Sequence, residues 1–130
     1  MDVGAPSNIE RLRHWFADDD ALRATLKATA VDDATIRDTI AAAPARHGIV
    51  ACPHTATALH VLETLRASGD TRDWAVVATA HPAKFDTVVE PLIGHTVEVP
   101  AALAACFARP AHAIALDAEF DAWRSALRAG

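Results

Sequence analysis

Trp74-Ala75-Val76-Val77-Ala78-Thr79-Ala80-His81-Pro82-Ala83-Lys84-Phe85 is the stretch on which the fold reading turns. Trp74 to Ala78 is apolar without a break. It reads as a short strand covered on both faces, as strands of parallel sheets are. Pro82 then opens a helix, since a proline at the first helical turn gives up no needed N–H. Thr79, His81, Pro82 and Lys84 crowd together where the strand stops. The carboxyl end of a strand is where open α/β sheets place their ligands. This junction is therefore the candidate site.

Outward from it, helices and short strands alternate. Towards the N-terminus, Ser7-Asn8-Ile9-Glu10 reads as a capping box, and Ile9, Leu12 and Phe16 share one helical face. Leu22 and Leu26 suggest a second short helix, with Asp18-Asp19-Asp20 as a solvated turn before it. Asp32 or Asp33 caps a third helix, whose stripe is Ile36, Ile40 and Ala43 and which Pro44 ends. Gly48 to Cys52 is strand or loop. Pro53 opens a longer helix with Ala58, Leu62 and Leu65 as its core face, flanked by Leu59 and Val61, and Ser68-Gly69-Asp70 breaks it. Past the junction, Phe85, Val88, Val89 and Leu92 face inward until Gly94. His95 to Val99 alternates as a more exposed strand. Ala101 to Phe107 is a short helix ended near Pro110, and a last helix is capped by Asp117 with Leu116, Phe120, Trp123 and Leu127 at helical spacing.

The expected fold class is α/β: a partial three-layer sheet with flanking helices. It divides into a helical part (1–46), a β-α-β-α-β core (47–100) with right-handed crossovers, and C-terminal helices (101–130). Three short strands make a small sheet, and this chain has little left to cover it. That shortage is a first sign that the chain is part of something larger.

Composition narrows the function classes. The 130 residues allow one ordinary domain, 52% hydrophobic and 22% charged, with enough apolar material for a core. The formal net charge is −5 and there is no basic run, so nucleic acid is not an expected partner. No apolar run reaches the roughly 20 residues of a membrane helix, so no membrane partner is expected either. No signal peptide is read at the N-terminus, and the expected location is the cytoplasm. Cys52 and Cys106 match no metal or redox spacing and read as reduced core thiols. No metal site is expected from the seven histidines: the nearest pair, His54 and His60, lies on different helical faces.

Three segments together resemble the threonine synthases. Met1 to Arg11 resembles that family's MD(V/I)xxPSNFER segment, with Ile9 where phenylalanine is usual. Pro53-His54-Thr55-Ala56 resembles its DPHTA segment. Thr79 to Phe85 matches its TAHPAKF wording without a change. The resemblance covers nearly the whole chain. It implies roughly the C-terminal third of a two-domain pyridoxal-phosphate (PLP) enzyme of the tryptophan-synthase-β type. The implied reaction takes O-phospho-L-homoserine and water to L-threonine and phosphate, with PLP as electron sink.

The same resemblance implies roles for single residues. Thr79 is the cofactor-binding candidate, its hydroxyl at the pyridine nitrogen. Lys84, His81 and His54 are the substrate or phosphate candidates. For Lys84 the other reading is a side chain lying over apolar surface; for His81 it is a helix cap that shapes the turn. Cys52 departs from the family, where an acidic residue often precedes PHTA. The family's Schiff-base lysine lies in a segment upstream of the MDV wording. Neither Lys27 nor Lys84 sits in such wording, and the five glycines are isolated, with no phosphate-cradling loop. No catalytic lysine is therefore assigned, and the chain by itself is expected to be inactive. Two further readings stand beside it: a non-catalytic α/β module that associates with a separately encoded N-terminal part, and a small independent domain with an unrelated ligand.

Overall fold

A computed structural model describes residues 8–129. Seven α-helices and one 3-10 turn make up the regular structure of these residues: α1 (Ile9–Trp15), α2 (Asp19–Thr25), α3 (Asp33–His47), α4 (Pro53–Ala67), the 3-10 turn Pro82–Phe85, α5 (Asp86–Ile93), α6 (Ala101–Phe107) and α7 (Phe120–Ala129). They fall into two compact units, Met1–Val97 and Glu98–Gly130.

The expected α/β sheet does not form. Among the described residues there is no β-strand. A strand stands only if a neighbouring strand meets its N–H and C=O groups, and none of the three candidate segments finds one here. Gly48 to Cys52 is a short irregular link between α3 and α4. Trp74 to Ala78 is irregular and far from covered: Val77 is 71% exposed. In His95 to Val99, the Val97 N–H donates to Glu90 Oε1 at 2.9 Å, so a side chain does what a ladder partner would.

Helices form where capping and apolar spacing agree. The Asp18 carboxylate accepts from Ala21 N and starts α2, so the acidic run is an N-terminus and not a solvated turn. Asp32 caps α3 in the same way through Thr35 N. Pro44 does not end α3. It sits inside the last turns, and Gly48 closes the helix at φ 69°. Cys52 caps α4: its sulfur takes the Thr55 N–H at 3.5 Å and lies 3.3 Å from Thr55 Oγ1. The Ser7 end of the expected capping box lies outside the described residues, and Asn8 makes no side-chain cap bond.

The core lies where α3, α4 and α5 meet. Ile40, Ala43, Ala51, Ala56, Leu59 and Val89 are buried, with Ile36, Phe85, Val88, Leu92 and Val97 packed around them. An ion-pair cluster ties α3 to α4 beside it: Arg46 Nη1 donates to Glu63 Oε2 at 2.9 Å, and His47 Nε2 lies 2.8 Å from Glu63 Oε1. The buried face of α4 is Thr55, Ala56 and Leu59, not the expected Ala58, Leu62 and Leu65. Those three face an open groove instead. Cys52 is a buried thiol, but Cys106 is exposed and is no core residue.

In the second unit, α7 begins at Phe120, three residues after the expected cap Asp117. Phe120, Trp123 and Leu127 share a face by helical spacing, and all are more than half exposed.

The two faces of α4 give a direct test. Ile40→Ala, opposite the buried face, is expected to lower stability by about 2–5 kcal/mol in urea unfolding. Leu62→Ala, on the groove, is expected to cost less than half of that.

Candidate functional site

The Trp74–Phe85 stretch is launched by the end of α4. Gly69 takes φ 91°, its N–H donates to Arg66 O, and the Asp70 N–H donates to Leu65 O. This pair of bonds is a Schellman closure, and only glycine adopts that φ without strain. Asp70 then holds Arg72. Its carboxylate accepts from the Arg72 backbone N–H at 2.9 Å and from Nε at 3.1 Å. The Arg72 guanidinium in turn lies 5.0 Å from the Trp74 ring centroid. The side-chain and backbone bonds from Arg72 hold the Asp70 carboxyl well below the usual carboxylate range. In the sequence Asp70 was read only as part of the break after this helix, and Arg72 did not stand out. The signal was there, an acid two residues before an arginine just past a helix-ending glycine.

Beyond Trp74 the segment runs without helix or ladder to the turn. Thr79 is exposed, and its hydroxyl makes no hydrogen bond among the described residues. His81 caps the turn with its own ring: the Ala83 N–H donates to His81 Nδ1 at 3.2 Å, and the Lys84 N–H donates to His81 O at 3.1 Å. Lys84 is exposed, with no ion pair or hydrogen bond from its ammonium among the described residues. Ala83 is buried, and Phe85 packs on the core, so the turn is seated from below.

His54 approaches from another helix. It sits in the first turn of α4, half-buried, with its ring edge-on to Phe85 at a centroid distance of 5.3 Å and an interplanar angle of 82°. The two sequence motifs, one around His54 and one around Thr79, therefore meet through Phe85. His54 also borders an apolar groove of about 610 Å³, between the outer face of α4, the Thr25–Thr29 link and Trp74 to Val77. Thr79, His81 and Lys84 do not line that groove.

The cofactor implied by the resemblance can be tested against these residues. Thr79 offers an exposed neutral hydroxyl with no hydrogen-bond partner among the described residues, a group of the kind a pyridine nitrogen would accept. Among the described residues no glycine turn offers a cradle for the cofactor's phosphate. The three described glycines, Gly48, Gly69 and Gly94, all have positive φ and all terminate helices. None is free to form a phosphate cradle. The Lys27 ammonium donates to the Arg23 carbonyl at 3.3 Å. No group of three His, Cys, Asp or Glu suited to a metal ion occurs among the described residues. No described helix is long and apolar enough to cross a membrane.

Residues 55–127 match a family model described as threonine synthase, C-terminal. Threonine synthase of Serratia marcescens is 33% identical over 127 residues, which is 98% of this chain and 29% of that protein. Threonine synthase of Escherichia coli strain K12 is 33% identical over 124 residues, 95% of this chain and 28% of that protein. The crystal structure of threonine synthase from Escherichia coli aligns with a TM-score of 0.70 at 30% identity, covering 99% of this chain and 29% of that one. The chain thus spans less than a third of the length of these relatives.

Acid titration should report the Asp70–Arg72 lock. A carboxyl lowered in the folded state stabilises fully above its unfolded pKa, about 3.9. It loses that contribution as pH falls through the folded value. The stability gap between wild type and Asp70→Asn is expected to be flat above about pH 5 and to close progressively below pH 4. Urea unfolding at several pH values measures it, and a gap that widens with acid contradicts the lock.

Proposed function

The chain belongs to the threonine synthase family, as its C-terminal part, and from that premise we propose that it supplies one wall of a PLP-dependent active site. That site converts O-phospho-L-homoserine and water to L-threonine and phosphate. The observation that carries this reading is the Thr79–Phe85 turn. It presents two exposed side chains that have no hydrogen-bond partner among the described residues, the Thr79 hydroxyl and the Lys84 ammonium, on a segment whose turn is shaped by His81.

In this reading the Thr79 hydroxyl hydrogen-bonds the pyridine nitrogen. A neutral hydroxyl there leaves that nitrogen less firmly protonated than a carboxylate would, and so tunes the cofactor from the ring side. PLP, when bound, supplies the electron sink for the replacement of phosphate by water. Lys84 meets the substrate or product phosphate as a point charge. His81 keeps both in place by bonding its own turn. The covalent lysine and the phosphate cradle come from the part of the family's length that these 130 residues do not span. The chain alone therefore binds PLP weakly and turns nothing over.

One observation favours the association named as the second reading. Trp74 and Val77 are 46% and 71% exposed beside an apolar groove, which suits a surface that meets a further polypeptide. The two readings are compatible: a chain that docks on the remainder of the enzyme is also one that completes its site.

Co-expression with the upstream portion of the Escherichia coli relative tests both. Threonine formation from O-phosphohomoserine is expected in the mixture and not from the chain alone. Thr79→Ala in the mixture should lower kcat about fivefold, the equivalent of one hydrogen bond worth roughly 1 kcal/mol. Turnover by the purified chain with PLP would sink the proposal, and so would a mixture indifferent to Thr79→Ala.

A further inference from the structure

We infer that His54 is a positioning residue for the Thr79–Phe85 turn and not a ligand of the substrate phosphate. This rests on the proposed reading of that turn as one wall of the site. The bonds inside the turn are all local. Ala83 N and Lys84 N both return to His81, so they fix the turn's shape but not its place.

Its place is set by what it leans on. Ala83 and Phe85 press into the core, and the His54 ring meets Phe85 edge-on at 82°. An edge-to-face contact depends on ring orientation as well as distance. It resists sliding and tilting of Phe85 in a way that aliphatic packing does not. His54 is itself anchored. Pro53 restrains the backbone just before it, and the neighbouring Thr55 is buried and bonded to Cys52. Neither ring nitrogen of His54 makes a hydrogen bond among the described residues. What the side chain does in this structure is done through its ring. The contact joins the first turn of α4 to the turn that follows Thr79. Any displacement of α4's N-terminus is therefore felt at Phe85, six residues along the chain from the Thr79 hydroxyl.

Amide hydrogen exchange on the full 130-residue chain, read by NMR, tests this without cofactor or activity. Wild type is compared with His54→Ala, His54→Phe and His54→Gln. Loss of the ring should speed exchange at Ala83 and Lys84 by about three- to tenfold, the equilibrium equivalent of one aromatic edge contact. Exchange at Ile40, inside α3, should not change. His54→Phe should restore the slow exchange, and His54→Gln should not.

Unchanged exchange in His54→Ala overturns the inference, as does rescue by Gln but not by Phe. If the alanine variant fails to fold, the Phe–Gln comparison decides alone. In the co-expressed enzyme, a positioning role lowers kcat of His54→Gln with KM for O-phosphohomoserine near wild type. A KM raised more than kcat is lowered marks a phosphate ligand and overturns the inference. A mixture without turnover counts against the proposed function only, because the exchange result stands without it.

Discussion

The packing of α3, α4 and α5 depends on one junction, where Ile40 and Ala43 of α3, Ala56 and Leu59 of α4, and Val89 of α5 exclude water from each other. Two of the five are alanines, so the helix backbones can come close. Burial of the three larger side chains supplies roughly 1.5–3 kcal/mol each. That modest core is reinforced by polar closures at its edges. Asp32 and Cys52 begin two of the helices, Gly48, Gly69 and Gly94 end three, and Glu63 holds Arg46 and His47 across α3 and α4. The Thr79–Phe85 turn is fixed to this junction through Ala83 and Phe85. Its chemistry thus inherits its position from helix packing and not from a sheet.

The helices were legible because their signals are local. Asp32 before Ile36 and Ile40, Pro53 at the start of α4, and Gly94 after Leu92 each combine a cap or breaker with a 3.6-residue apolar period. A strand has no such local signature beyond its apolar run. The run Trp74 to Ala78 carries a preference for burial, but its backbone needs a partner to make it a strand. No described residue provides one. The same limit explains α4. Its sequence is apolar on two faces, Thr55-Ala56-Leu59 and Ala58-Leu62-Leu65, and periodicity cannot tell which is covered when both are eligible.

The site was legible as wording and not as geometry. The identity of Thr79, His81, Lys84 and His54 could be read from two short motifs. His81 was also readable as a cap that shapes its turn, and its ring does accept the Ala83 N–H. That His54 meets Phe85 and that Asp70 steers Arg72 onto Trp74 are facts of three dimensions. Cys52 falls between the two cases. Its departure from the family's acidic residue was visible in the sequence. The structure adds that the position is a helix N-cap, where a carboxylate is a strong acceptor and a thiol a weak one.

The glycines and lysines carry the last step. A cofactor with a phosphate needs backbone N–H groups turned towards it, and glycine is the residue that lets a loop do so. Here each described glycine already adopts positive φ to end a helix. Removing any of them to serve a ligand would unfasten a helix that the core requires. Lys27 is bonded to a carbonyl in the last turn of α2, and Lys84 has no hydrogen-bond partner among the described residues. The described glycines therefore serve to end helices, and two side chains with no hydrogen-bond partner among the described residues, Thr79 and Lys84, share the 79–84 segment. That division leaves a support built from helix packing beneath an exposed segment, which is the arrangement the proposed reading of the 79–85 stretch calls for.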